Sequence, residues 1–366
     1  MGTEQLWHSP LHERHVAAGA KMAPFGGWSM PLEYAGVVAE HTAVRERVGL
    51  FDVSHLGKAL VTGPGAVDAL NERLTNDLRK VGPGQAQYTL LCDERGGTVD
   101  DLIAYVRSDD EVFLVPNAAN AAEVVRRLTA GMPAGVRVED QHREHAVLAV
   151  QGPASDETLA ALGLPVGHDY MGFVDAALDG VALTVCRTGY TGERGYELVC
   201  PADRAGVVWD AVLAAGEAYG IARCGLGARD TLRQEMGYPL HGNDLGPDIS
   251  PVAGGAGWAV AWKKERFGGD AALREERRAP TRVLRGLRAV GRGIPRHGMD
   301  VVGADGEVMG RVTSGTFSPT LRTGIALALL PPDVPLGAEV GVVVRTRTER
   351  FEVVRPPFVV AGVRDA

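Results

Sequence analysis

The chain has 366 residues, of which 45% are hydrophobic and 23% charged, and its formal net charge is −8. That length exceeds one typical hydrophobic core and predicts two or three domains. The acidic balance argues against nonspecific attraction to nucleic acid or anionic membranes. Four cysteines (Cys92, Cys186, Cys200 and Cys224) lack CxxC spacing, which excludes zinc-ribbon and thioredoxin-like motifs and suggests free thiols in a reducing compartment. No signal-peptide core opens the sequence and no apolar run is long enough to span a bilayer, so the expectation is a soluble, cytoplasmic chain.

Short β-prone runs alternate with amphipathic segments, which predicts an α+β fold. In chain order, residues 32–48, 118–131 and 204–220 read as helices. Strands are expected over 58–61, 101–106, 112–115, 146–151, 182–187 and 197–200. Residues 274–286, REERRAPTRVLRG, are strongly charged and read as a linker. Beyond them, β-prone runs separated by Gly/Pro turns predict a C-terminal barrel or sandwich of roughly 80–90 residues.

Several stretches carry candidate chemistry. In GGTVDDLIAY (96–105), strand alternation places Asp101 with Val99, Ile103 and Tyr105, and Asp100 with Leu102, Ala104 and Val106. Both faces are apolar, so at least one carboxylate points toward apolar neighbours, and a buried carboxylate needs a partner or a task. In GYTGERGYEL (189–198), three glycines mark a tight turn before a strand. Glu197 there either faces solvent, which its residue type favours, or stands beside a glycine-lined pocket.

In GLGARDTLRQEMGY (225–238), a loop runs into a helix with Arg229, Arg233 and Met236 on one face. The stacked cations are balanced either by Asp230 or Glu235 or by a ligand carboxylate. The loops FGGWSMPLEY (25–34) and AGWAVAW (256–262) carry five aromatic rings, suited to core packing or to a flat ligand. HERH (12–15) and HREH (142–145) pair histidines at i, i+3, and exposed polar segments explain them more simply than a metal site. No GxGxxG, Walker A or GxSxG sequence is present.

Eight blocks in this order, KMAPFGGWSMPLEY, FDVSHLGK, GGTVDDLIAY, VPNAAN, AVQGP, TGYTGERGYEL, GLGARDTLRQE and TSGTFSPT, resemble the T-protein family of the glycine cleavage system over about residues 11–360. The resemblance implies a three-lobed α+β chain around a central folate cavity. It implies a discontinuous first domain (1–52 and 146–275), a second domain (53–145) and a C-terminal β-barrel domain (280–366). It further implies a tetrahydrofolate-dependent aminomethyltransferase. Such an enzyme moves the methylene group of aminomethyl-dihydrolipoyl H-protein to tetrahydrofolate and releases ammonia. The implied partners are lipoylated H-protein and tetrahydrofolate, with no nucleic acid, membrane or metal.

By the same resemblance, Asp101 matches the family's essential carboxylate near the reacting folate nitrogen, and Asp100 faces the other side and serves structure. Tyr190 and Glu197 match pterin contacts, Arg229 a folate-contacting arginine, and Leu56, Tyr88, Asn117 and Trp258 cavity-lining positions. Arg364 is placed at the anionic folate tail. Two segments depart from the pattern near the expected cavity. His241 replaces the usual tyrosine, and SPVAGGAG (250–257) lacks the usual glutamate. The His241 change motivates the alternative of a tetrahydrofolate-dependent demethylase acting on a methylated small molecule. A non-enzymatic relative, the folate-binding iron–sulfur assembly factor, is marked by a KGCYxGQE-like cysteine motif. This chain has RTGYTGERGYE there, so that reading ranks low.

Overall fold

The structure, a computed structural model, describes residues 6–360, 362 and 363. No helix among them is long and apolar enough to cross a membrane.

The aspartate pair lies on the strand Thr98–Ser108. Alternation sends Leu102 and Ala104, on the Asp100 side, into one core, and Ile103 and Tyr105, on the Asp101 side, into another. This strand is second in a five-stranded antiparallel sheet ordered Gln85–Cys92, Thr98–Ser108, Glu111–Val115, Ala59–Thr62 and Arg137–Asp140. The helices Ala66–Asn71 and Ala121–Gly131 cover its Leu102 face through Leu70, Val124 and Leu128.

A six-stranded sheet surrounds that excursion in sequence, because the chain leaves it at Asp52 and re-enters at His145. Its order is Phe173–Leu178, Val181–Cys186, Gly195–Pro201, His145–Gln151, Gly49–Asp52 and Ala222–Cys224, antiparallel except for the last, parallel pair. The helix Ala205–Gly216 packs Val208, Trp209 and Val212 against Leu148, Tyr196 and Leu198 on one face. Burial of each large apolar side chain contributes about 1.5–3 kcal/mol. The opposite face, with Phe51, Val147 and Val199, meets Tyr105 and Phe113 of the five-stranded sheet and Leu232 of the helix Leu226–Glu235. The two sheets therefore share a core.

Six strands, Val283–Ala289, Thr323–Leu330, Val308–Ser318, Asp300–Val302, Glu339–Val344 and Arg347–Val354, close into a barrel. It is fastened to the helix Leu226–Glu235 by buried polar bonds. Arg233 Nη2 donates to Ser314 Oγ at 2.9 Å, and Glu235 accepts from Ser318 and from Thr320 Oγ1, the latter at 2.9 Å.

Two local expectations are corrected. The helix expected from residue 32 begins only at Val37, because Leu32 and Glu33 end the strand Trp28–Glu33. The Glu40 carboxylate explains the boundary: Oε1 accepts the N–H groups of Tyr34, Ala35 and Gly36 at 2.6, 3.0 and 3.2 Å. One carboxylate oxygen thus gathers the N–H groups of the turn that leads into the helix and of its N-cap, Gly36. Residues 274–286 are not a linker either. Their first part belongs to the helix Asp270–Arg278, with Leu273 buried, and their last part to the barrel strand Val283–Ala289. The charge run is the solvated face of an amphipathic helix.

Candidate active site

The two sheets, the helix Leu226–Glu235 and the barrel enclose a cavity of about 540 Å³, a size typical of small-molecule sites. Asp101 enters it from Thr98–Ser108 and Tyr88 from Gln85–Cys92. Tyr88 is registered with Ile103, so Asp101 is its diagonal neighbour on the same face. Tyr88 Oη donates to Asp101 Oδ2 at 3.0 Å. Asn117 follows the strand Glu111–Val115, and its Nδ2 donates to Asp101 Oδ1 at 3.0 Å and to Asp100 Oδ1 at 2.9 Å. The Asn117 backbone N–H donates to Asp100 Oδ2 at 2.9 Å, and Asn120 Nδ2 donates to Asp100 Oδ1 at 2.7 Å.

Asp100 is fully buried, and burial pushes its carboxyl up to about 8, with the Asp101 charge adding to the effect and the amide donors opposing it. Burial raises Asp101 as well. Two neighbouring carboxylates with only neutral groups bonded to them retain a proton near neutral pH.

Glu197 departs from the solvent-facing reading that its residue type favours. It is only 9% exposed and lines the cavity. Thr188 Oγ1 donates to Glu197 Oε2 at 2.6 Å and accepts from Tyr105 Oη at 3.2 Å. The preceding turn needs its glycines: a Cβ on Gly189 would lie 2.1 Å from Gln151 Oε1, and Gly192 sits at φ +82° against Met236.

Arg229 places its guanidinium carbon 4.6 Å from the centre of the Tyr190 ring. Burial weakens its hold on its proton, and the Glu197 carboxylate opposes that. Arg233 is taken up by Asp230 at 2.9 Å, Asp244 at 3.0 Å and Ser314 at 2.9 Å. Intrachain ion pairing therefore accounts for Arg233, while Arg229 is left to the cavity. Trp258, 72% exposed, stacks on Tyr88 with ring centres 5.2 Å apart. Leu56 and Phe25 add apolar wall.

Asp101, Glu197, Arg229, Tyr190, Asn117, Tyr88, Leu56 and Trp258 all line this one cavity. Arg364 lies outside the described residues. Reasoning from the sequence missed His55, Thr188, Tyr170, Met171 and Tyr238, which also line it. Thr188 carried a readable signal, a hydroxyl adjoining the glycine turn. His55 and Tyr170 carried none, because only the meeting of separate loops brings them in.

Three further expectations are resolved by position. His15 is not on an exposed polar segment: it is fully buried, 2.8 Å from Asp52 Oδ2 and 2.9 Å from Tyr34 Oη. His241 does not line the cavity; its ring nitrogens are engaged by Asn120 at 2.9 Å and the Thr98 carbonyl at 3.0 Å. His241 therefore offers a methylated donor no direct contact in the cavity. Of residues 250–257, Gly254 and Gly255 do reach the wall.

A buried carboxylate pair, a further carboxylate and an arginine among aromatic walls suit a flat ligand with a hydrogen-bonding edge. Comparison with known proteins agrees. The family model described as the GCVT N-terminal domain matches residues 11–264, and that of the glycine cleavage T-protein C-terminal barrel domain matches residues 282–359. A protein from Parafrankia sp. named aminomethyltransferase is 62% identical, over 98% of this chain and 100% of its own. One of the same name from Mycobacterium tuberculosis H37Rv is 59% identical, over 98% of this chain and 99% of its own. The crystal structure of glycine cleavage system aminomethyltransferase T from Bartonella henselae superposes with a TM-score of 0.91 at 35% identity, covering 97% of this chain and 99% of that one. The chain belongs to the glycine cleavage T-protein family.

Proposed function

We propose that Asp101 is the carboxylate on which aminomethyl transfer turns in this protein, and that Glu197 and Arg229 hold the acceptor. The activity is aminomethyl transfer in the glycine cleavage system, with tetrahydrofolate as co-substrate. A methylene group passes from an aminomethyl donor to tetrahydrofolate, ammonia is released, and 5,10-methylenetetrahydrofolate is the product.

The residues present fit that ligand. Glu197 keeps Oε1 free of any partner among the described residues, and aromatic rings of Phe25, Tyr88, Tyr190 and Trp258 form the walls. When bound, tetrahydrofolate supplies the nucleophilic amine. Glu197 accepts from the paired 2-amino and ring N–H donors of the pterin, an edge that matches a carboxylate. Arg229, steadied over Tyr190, balances the Glu197 charge. Asp101 stabilises positive charge developing at the transferred carbon and accepts a proton from the attacking nitrogen. Tyr88 and Asn117 fix one carboxylate oxygen each, so the group needs little reorganisation as charge develops. The donor in this reading is the aminomethylated dihydrolipoyl arm of H-protein, supported by membership of the family. Cytoplasmic location belongs to the same reading, supported by four buried cysteines outside any disulfide.

The observation that carries the reading is Asp101 held at the cavity wall by donors to both its oxygens. Asp101→Asn is expected to lower turnover with aminomethylated H-protein by a factor on the order of a hundred or more, while tetrahydrofolate affinity stays near wild type. Ammonia and methylenetetrahydrofolate are the readouts. Unimpaired turnover in that variant overturns the role of Asp101.

A further inference from the structure

The amides around the carboxylate pair have a direction, and a residue outside the cavity sets it. The two hydrogens of Asn120 Nδ2 go to Asp100 Oδ1 at 2.7 Å and to His241 Nδ1 at 2.9 Å. An amide nitrogen only donates, so His241 Nδ1 carries a lone pair. The ring hydrogen then sits on Nε2, 3.0 Å from the Thr98 carbonyl oxygen, which only accepts. Thr98 opens the strand that bears both aspartates, so the imidazole is anchored to the element it serves.

Asn120 has a competing orientation. When Asp100 carries the proton of the pair, its hydroxyl can donate to Asn120 Oδ1 after the amide turns over. That rearrangement withdraws a donor from Asp100 Oδ1, the atom that also accepts from Asn117 Nδ2. Asn117 Nδ2 is the group that ties Asp101 Oδ1 at 3.0 Å and the Asp101 carbonyl at 2.9 Å. An acceptor at the place of His241 Nδ1 is what makes the donating orientation of Asn120 the favoured one. His241, Asn120, Asp100, Asn117 and Asp101 thus form an unbroken chain of hydrogen bonds between 2.7 and 3.0 Å.

We propose that His241 is a positioning residue for Asp101: by accepting from Asn120, it locks Asn120, Asp100 and Asn117 in the arrangement that aims the Asp101 carboxylate into the cavity. This rests on the role proposed above for Asp101. The effect is geometric, and a small misplacement of a reacting group costs on the order of ten- to a hundredfold in rate.

Two conservative substitutions separate the two nitrogens. His241→Asn keeps an acceptor near the place of Nδ1 and loses the donor to Thr98. His241→Gln keeps a donor near the place of Nε2 and loses the acceptor. His241→Asn is expected to retain turnover close to wild type, and His241→Gln to lose on the order of ten- to a hundredfold in kcat. Tetrahydrofolate Kd, measured by calorimetry, stays unchanged in both. In the ligand-free protein, ¹⁵N spectra of the His241 ring are expected to show Nδ1 bare and Nε2 protonated.

Equal kcat in the two variants, a loss that follows the Thr98 donor instead, or a ring protonated on Nδ1 overturns the proposal. Should either variant melt early, Asn120→Ala serves in its place, where a kcat loss at unchanged Kd supports the proposal and full kcat refutes it. Asp101→Asn in the same assay separates the two levels. Normal turnover there removes the Asp101 reading itself. Lost turnover there, with His241→Gln fully active, removes only the role of His241.

Discussion

Two buried carboxylate centres in this molecule have opposite proton affinities, and burial is not what distinguishes them. Asp100 and Glu235 are both fully buried. Glu235 Oε2 accepts from Arg45 Nη2 at 2.8 Å and from Thr320 Oγ1 at 2.9 Å, and lies 3.3 Å from His41 Nε2. Burial alone would raise it, but His41, Ser318 and Arg45 outweigh burial and hold it near 2. Asp100 accepts three hydrogen bonds, all from neutral amides, against five at Glu235, two of them from Arg45, and it has Asp101 beside it. Its carboxyl rises to about 8. Cationic donors beside Glu235, and a second carboxylate beside Asp100, set the sign of each shift. The first arrangement makes a lock joining the helices Val37–Glu46 and Leu226–Glu235 to the barrel. The second keeps a proton beside Asp101, behind the cavity wall.

The sharpest way to break this contrast is to empty each centre in turn. Glu235→Ala leaves His41 buried without its anion and Arg45 with Glu193 alone, and is expected to cost about 3–5 kcal/mol in denaturant unfolding. A loss below about 1 kcal/mol would mean the lock carries no net stability.

The dependence on pH comes next in size, and its sign differs at the two centres. Asp100 is raised from 3.8 to about 8, so its contribution to stability is complete below 3.8 and is lost as pH rises through 8. Glu235 is lowered from 4.5 to about 2, so its contribution is present above 4.5 and is lost as pH falls toward 2. Relative to wild type, Asp100→Asn should flatten the decline in melting temperature between about pH 5 and pH 8. Glu235→Ala should flatten the acid decline instead. Parallel curves for wild type and Asp100→Asn would show that the pair holds no extra proton.

Glu197 tests the smallest effect, a cavity carboxylate bonded by one hydroxyl and facing a ligand edge. Glu197→Gln is expected to weaken tetrahydrofolate binding by about 1–3 kcal/mol with the fold intact, as calorimetry would read. Unchanged affinity would place the pterin edge elsewhere in the cavity.

Much of the site was legible from residue order. The adjacent aspartates declared their opposite faces through strand alternation alone, because a period of two admits no other placement. Eight collinear blocks supplied the fold family and most of the lining. What stayed hidden were the partners. Nothing in GLGARDTLRQEMGY says which arginine is consumed by an ion pair; Arg233 is, because Asp244 and the barrel's Ser314 converge on it. The run 274–286 misled because charge marks a solvated face as readily as a linker, and only the burial of Leu273 separates the two.

Sequence by itself determined most of the elements, the opposed faces of Asp100 and Asp101, a β-rich C-terminal domain and the family resemblance. These follow from local periodicity and from motifs contiguous along the chain. Only the tertiary structure decided what those carboxylates are. Proton affinity depends on burial and on charges a few ångströms away, and those charges arrive from distant positions. Arg45 and His41 are about 190 residues from Glu235, whereas Asn117 and Asn120, which are neutral, are the groups that reach Asp100.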